Sequence, residues 1–142
     1  MAEALMFGPP LFLGLIIGFY EIIIIHRDIT IPTHRFGHGI HAMVLSLIFT
    51  FATMNAEFVL SVIPALAKIP ILGTPLGLHI ALGLLAAIKI HGVSRVIQTT
   101  GIAGRGLAET WFHCILIGAL IAATPYIYPI VKPMLPKWAT SW

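Results

Sequence analysis

The chain has 142 residues, of which 58% are apolar and 9% are charged, and its mean hydropathy is +1.00. Soluble domains carry roughly 25% charged residues, so this composition predicts an integral membrane protein. Four spans of about 20 residues each would leave only about 60 residues for ends and connections. That length excludes a separate soluble catalytic domain. The net charge is +3, and no stretch of the sequence is densely basic, so nucleic-acid binding is not expected.

The first predicted helix covers residues 9–26. Pro9 and Pro10 suit the first turn of a helix, where their missing N–H groups would have no partner. No Lys or Arg precedes this apolar run, and no small-residue cleavage pattern follows it. We therefore expect a retained span, followed by a short polar link over residues 28–35.

The second predicted helix covers residues 36–63, which is long enough to cross a bilayer with a tilt. Residues 65–74 contain proline, glycine and a lysine and predict a turn at the membrane interface. Thr74 and Pro75 combine an N-cap residue with a first-turn proline. They predict the start of a third helix over residues 75–97.

The fourth predicted helix covers residues 107–131, with Pro125 and Pro129 expected to bend its last turns. Residues 132–142 predict an interfacial tail, because their two tryptophans extend an aromatic belt. The sequence therefore predicts one membrane domain over residues 1–142. Its expected fold is an all-α integral membrane protein, a four-transmembrane-helix bundle with short connections.

Basic residues are divided unequally between the two predicted membrane sides. The side with the first and third connections carries Arg27, Arg35, Lys89, Arg95 and Arg105, and the side with the termini carries Lys68, Lys132 and Lys137. Because Lys and Arg favour cytoplasmic loops, the Arg-rich side is expected to be cytoplasmic. Both termini of this multi-pass protein are then expected on the non-cytoplasmic side.

Small residues recur four positions apart in three of the predicted helices. The pairs are Gly14 with Gly18, Gly77 with Ala81, Gly83 with Ala87, and Gly118 with Ala122. Such pairs allow close helix approach in a bilayer, where no hydrophobic effect drives association between helices. We expect them to pack the helices of this chain together; a surface for a partner's helix is the alternative.

Six of the seven histidines fall on the Arg-rich side. They are His26, His34, His38, His41, His91 and His113. Counting about 1.5 Å per residue from the helix ends, Glu21, His41, Lys89 and His113 lie at similar depths in four different helices. Ionisable groups inside a bilayer are costly and mark either a function or a paired structural contact.

A structural interpretation of this cluster pairs Glu21 with Lys89 as a buried ion pair. The same two residues would form the relay if the protein conducts protons or ions. Glu109 and His113, four positions apart, share one helix face and would contact each other.

Cofactor binding is the other interpretation of the cluster. Imidazole and carboxylate groups suit a transition metal, and the candidate ligands are His38, His41, Glu109 and His113. Haem b would need two histidines from different helices, such as His41 with His91 or His113.

Two further features stand apart from the histidine cluster. The single Cys114 lies in an apolar stretch and is expected to act as a small hydrophobic residue. On the side of the termini, similar depths in the membrane are predicted for Asn55, Glu57 and His79. A Glu57–His79 contact is expected there, and an ion path from Glu57 towards Glu21 is the alternative.

The simplest functional expectation is a non-catalytic, accessory helical subunit of a larger membrane protein complex, for example a respiratory or oxygenase-type assembly. The alternatives are a metal- or haem b-binding redox protein and a proton or ion transporter. Expected partners are the lipid bilayer and other membrane subunits or further copies of the chain.

Overall fold

The computed structural model describes residues 5–28, 32–99 and 110–140, with side chains for all of these except 24–28, 32–36, 38 and 93–99. Regular structure in these ranges is entirely helical, and they contain no strand. In chain order the helices are α1 (Gly8–Asp28), α2 (Pro32–Met54), α3 (Ala56–Val62), α4 (Pro64–Ala67), α5 (Pro75–Thr99), α6 (Trp111–Val131), a 3-10 turn (Lys132–Met134) and α7 (Lys137–Thr140).

Several of these helices are long and apolar enough to cross a membrane. Within the described ranges, Pro75–Gly92 and Trp111–Met134 each meet this condition, and α2 with α3 adds a third candidate if the bent pair is one span. The apolar part of α1 is shorter, Gly8–Ile23. The protein is therefore all-helical where described, with two or three candidate membrane spans. The predicted start of the fourth helix at residue 107 lies outside the described residues.

A sharp break at Asn55 divides the helix that was predicted as one segment over residues 36–63. The axes before and after it differ by 86°. The Asn55 side-chain amide donates to the carbonyls of Phe51 (2.9 Å) and Met6 (3.0 Å), and its oxygen accepts the Met6 N–H (2.8 Å). Asparagine side chains compete with the helix for backbone groups. Here the amide adds a second bond to the Phe51 carbonyl, which also keeps the N–H of Asn55 at 3.1 Å, at the point where α2 ends.

The start of α5 agrees with the prediction from the sequence. The Gly77 N–H donates to the hydroxyl of Thr74 over 3.1 Å, which is the bond that an N-cap residue makes to the third helical position. Pro75 occupies the first position of the helix, where no partner for an N–H is needed. The predicted cap at Thr74 is confirmed.

The long helices pack as two antiparallel hairpins, α1 with α2 and α5 with α6. A Cβ atom on Gly18 would lie 2.9 Å from the Cα of Met43, and one on Gly83 would lie 2.5 Å from the carbonyl oxygen of Gly118. Only glycine allows such close backbone approach. These glycines therefore hold the chain's own helices together, as expected.

Both hairpins contribute to a shared apolar core. Its buried members are Ile17, Phe49, Ala86, Ala87, Ile90, Cys114, Ile117 and Ile121. The tail packs on α1, because the rings of Trp138 in α7 and Phe12 in α1 meet edge to face at 5.6 Å. The start of α5 lies beside the break at Asn55, since Pro75 and His79 line the same cavity as Asn55.

Candidate functional site

A cavity of about 230 Å³ lies at the break between α2 and α3. We call it the polar cavity, because Thr53, Asn55, Glu57 and His79 line it among apolar residues. The Asn55 amide is occupied by its bonds to Met6 and Phe51. Glu57 and His79 are therefore the lining groups that can exchange protons. The sequence placed these two residues at similar depth, and the structure places both on one cavity.

His79 is held by Tyr126, in a contact that was not predicted from the sequence. Its Nδ1 atom lies 3.0 Å from the Tyr126 hydroxyl, and the two rings meet edge to face at 5.5 Å. The imidazole is only 7% exposed, so this bond fixes its orientation between α5 and α6. The signal in the sequence that could have predicted this contact is that Tyr126 and His79 lie at similar depths on consecutive long helices.

A row of buried polar residues leads from the polar cavity along α2. Ser46, Thr50 and Thr53 follow one another at helical spacing on one face, and each is fully buried. The Thr53 hydroxyl donates to the Phe49 carbonyl over 2.7 Å. The Ser46 and Thr50 hydroxyls have no hydrogen-bond partner in the described part of the chain. These hydroxyl positions were not anticipated from the sequence.

Glu21 lies further along the same interior. It is fully buried on α1, and the contacts of its neighbours Gly18 and Ile22 with Met43 and Gly39 place it beside the first half of α2. Lys89, its predicted partner, is exposed on α5. The Glu21–Lys89 ion pair stays a prediction.

The three histidines predicted as haem ligands occupy different environments. His91 is buried, stacks on the Trp111 ring at 3.8 Å, and has its Nδ1 atom 3.8 Å from the Cys114 sulfur. His41 is exposed on α2, and His113 is half-buried on α6. The buried Cys114 packs in the core, and its contact with His91 was not predicted.

The predicted metal ligands are described only in part. Glu109 and the side chain of His38 lie outside the described residues, as do the side chains of His26 and His34. Among the side chains that are described, no group of three or more His, Cys, Asp or Glu residues could hold a metal ion. The four-ligand set of His38, His41, Glu109 and His113 therefore stays a prediction.

A second feature connects with the polar cavity on the outer side of the α5/α6 hairpin. A groove of about 390 Å³ runs between the two helices, with His79 and Tyr126 at one end. We call it the small-residue groove, because its lining includes Gly83, Ala87, Gly118, Ala119, Ala122 and Ala123. Ala119 is exposed, so the groove is open to the surroundings of the bundle.

Comparisons of this chain with protein-family models, with curated proteins and with solved structures find no match. The polar cavity, the buried row and the small-residue groove are the features of the chain that bear on its function.

Proposed function

We propose that the protein is a four-span membrane protein that serves as a non-catalytic helical subunit of a larger membrane-bound complex. In this proposal α1, α2, α5 and α6 each cross the bilayer, and the termini lie on the non-cytoplasmic side. The helices α1 and α2 contain 21 and 23 residues. At about 1.5 Å per residue, the whole of each helix, with the charged residues at one end included, is about as long as the roughly 30 Å hydrocarbon core is thick.

The small-residue groove is the observation that carries the proposal. Helices associate in lipid through close packing and interhelical hydrogen bonds, and small residues permit that approach. Gly83 and Gly118 already contact each other within the chain. Ala119 and Ala123, one turn apart on α6, extend the small surface outward. A transmembrane helix from another subunit fits this arrangement.

The end of the groove supplies a means of fixing such a helix in register. His79 and Tyr126 line the groove there and bond to each other. A polar side chain on the partner helix can join this pair, and such bonds add modestly to helix association in membranes, about 0.6 kcal/mol on average. Apolar packing would then provide most of the affinity, and the pair would select the register.

Filling the groove tests the proposal. In tagged protein purified from native membranes with mild detergent, Ala119→Leu and Ala123→Leu should each release a membrane protein that otherwise co-purifies in fixed stoichiometry. Val44→Leu, on the exposed face of α2, and Ala65→Leu, on exposed α4, are the controls and should retain it. Retention by all four variants would contradict the proposal, and so would association only with further copies of this chain.

Proton transport is a second candidate, favoured by the buried polar row on α2. Ser46, Thr50 and Thr53 occupy successive turns between the polar cavity and the level of Glu21. Buried hydroxyls gain from bridging water when no protein group satisfies them, and a chain of such waters conducts protons.

Reconstituted liposomes with an imposed pH gradient and an internal pH dye test this second candidate. Thr50→Val and Glu21→Gln should each slow proton entry, whereas Ser61→Ala, which removes an exposed hydroxyl, should not. Flux equal to that of protein-free liposomes would contradict transport by the isolated protein.

A further inference from the structure

A second groove lies on the neighbouring face of α6, between α6 and α1. Its volume is about 620 Å³, and we call it the long groove. Its α6 wall extends from Leu116 to Val131, which corresponds to about 22 Å at 1.5 Å per residue. The long groove therefore follows most of the roughly 30 Å thickness of a bilayer's hydrocarbon core.

The walls of the long groove differ in kind from those of the small-residue groove. Most of the lining side chains are large and apolar, including Leu13 and Ile16 from α1 and Leu120 and Ile127 from α6; Tyr20 and Thr124 complete the lining, and neither glycine nor alanine contributes. Without small residues a second helix cannot approach the groove floor closely. A flexible hydrocarbon chain can follow such a surface, because it is thin and adapts its bends to the side chains.

Two cations stand where the long groove reaches the end of α6. Lys132 directly follows the lining residue Val131, and its ammonium lies 5.8 Å from the centre of the Tyr128 ring. Lys137 opens α7, two residues after the lining residue Leu135. Both lysines are exposed, and the sequence from residue 110 to residue 142 contains no Asp or Glu.

Contacts of the tail keep the second cation near the α1 side of the groove. α7 packs on α1, and the edge-to-face contact of Trp138 with Phe12 ties the two elements together. Lys137, the residue before Trp138, is thus held beside α1, while Lys132 continues α6. The two lysines therefore flank this end of the long groove, with Lys132 on the α6 side and Lys137 on the α1 side.

From this combination we propose that the long groove binds one anionic membrane lipid. A hydrocarbon chain of the lipid lies between α1 and α6, and its phosphate headgroup contacts Lys132 and Lys137. The apolar walls recognise the chain, and the two exposed lysines select a negative headgroup. This site lies beyond the proposed function and does not depend on it, because the small-residue groove is a separate surface.

Native mass spectrometry of the full-length, delipidated protein tests the headgroup part of the proposal. The probes are dioleoylphosphatidylglycerol and dioleoylphosphatidylcholine, which carry the same chains. The unmodified protein should bind one phosphatidylglycerol in preference to phosphatidylcholine. The double variant Lys132→Gln/Lys137→Gln should lose this preference, with binding weakened on the order of tenfold, since juxtamembrane lysines attract anionic headgroups.

Single variants control for loss of net charge. Lys68→Gln removes one charge at an exposed position away from the long groove and should keep the preference for phosphatidylglycerol, whereas Lys132→Gln and Lys137→Gln, which each remove one charge as well, should each weaken it. Equal loss in all three single variants would overturn the assignment of the headgroup site, because it would show attraction to overall charge alone.

Obstructing the walls tests the chain part of the proposal. Ile16→Trp changes an exposed position on α1, and Leu116→Trp changes the facing wall of α6, so one of them remains informative if the other misfolds. Either variant, with helicity retained by circular dichroism, should bind less of both lipids. Undiminished lipid binding in the folded variants would overturn the proposal. Loss of a co-purifying protein from either variant in the purification from native membranes, without loss of lipid binding, would overturn it too, because the groove would then be a protein interface.

Discussion

At the scale of single residues, Asn55 decides the path of the chain between α2 and α3. Its side chain makes three hydrogen bonds, and two of them reach Met6, 49 positions earlier in the sequence. The bonds hold the segment before α1 against the break and form one wall of the polar cavity. A local sequence pattern cannot reveal such a long-range anchor, so the run over residues 36–63 predicted one continuous helix.

Replacing Asn55 by alanine should destabilise the protein. The Met6 N–H and carbonyl lose the side-chain partner that they have in the described structure, whereas the Phe51 carbonyl keeps the backbone N–H of residue 55; unsatisfied buried polar groups cost about 1–3 kcal/mol each. Thermal unfolding in detergent should show a clearly lower midpoint for Asn55→Ala. Ser61→Ala, which removes an exposed side-chain bond to the Phe58 carbonyl, should leave the midpoint nearly unchanged; equal midpoints for both variants would contradict the anchoring role.

The His79–Tyr126 bond should have a measurable coupling energy. A double-mutant cycle with His79→Phe and Tyr126→Phe should give about 0.6 kcal/mol, the average for interhelical bonds in membranes. Unfolding by SDS in mixed micelles supplies the free energies of unfolding. Tyr128→Phe paired with His79→Phe serves as the matched cycle on the same helix and should be additive. Coupling of equal size in both cycles would argue against a specific bond.

At the scale of helices, the α5/α6 hairpin depends on a backbone contact between Gly83 and Gly118. Gly118→Val should separate the helices and lower the free energy of unfolding by about 2 kcal/mol or more, as overpacking does. Gly92→Ala is the control, because no atom lies within 4 Å of an added Cβ there, and alanine is the better helix former by about 1 kcal/mol. SDS unfolding should separate the two variants; similar losses would contradict the packing.

Helix positions were largely accessible from the sequence, because apolar runs and their proline and glycine boundaries are local signals. The predicted starts at Pro9 and Pro75 lie within one residue of the helices α1 and α5. The predicted start at residue 36 is wrong, because α2 begins at Pro32, within the stretch predicted as a polar link, where proline suits the first turn of a helix. Proline inside α6 did not end it, because the Thr124 hydroxyl donates over 2.7 Å to the Ile121 carbonyl, the group that the ring of Pro125 leaves without its usual N–H donor. That compensation depends on a rotamer, which the sequence does not specify.

The candidate site was less predictable than the helices. Glu57 and His79 were placed at one depth from their distances to helix ends, and both line the polar cavity. Tyr126 and the hydroxyl row on α2 were missed, because their relation to His79 and Glu21 requires the rotation of each helix about its axis. The ligand sets predicted for the histidine cluster on the Arg-rich side stay predictions, since several of these residues lie outside the described part of the chain.

At the scale of the whole molecule, α6 separates two grooves with different linings. The small-residue groove faces outward along α5 and suits a helix, and the long groove along α1 suits a lipid chain. The polar cavity lies at the break between α2 and α3, and the buried row continues from it along α2. The proposed role as a subunit therefore uses the outer surface of α5 and α6, and it leaves the interior available for protons or water.

The most direct test of the subunit role is photo-crosslinking in native membranes. A photoreactive amino acid at position 119, in the small-residue groove, should crosslink to one defined membrane protein, whereas the same group at position 44, on the exposed face of α2, should yield only lipid adducts. Mass spectrometry of the crosslinked peptide would identify a transmembrane helix of another subunit. Identical lipid adducts from both positions would contradict the proposed role.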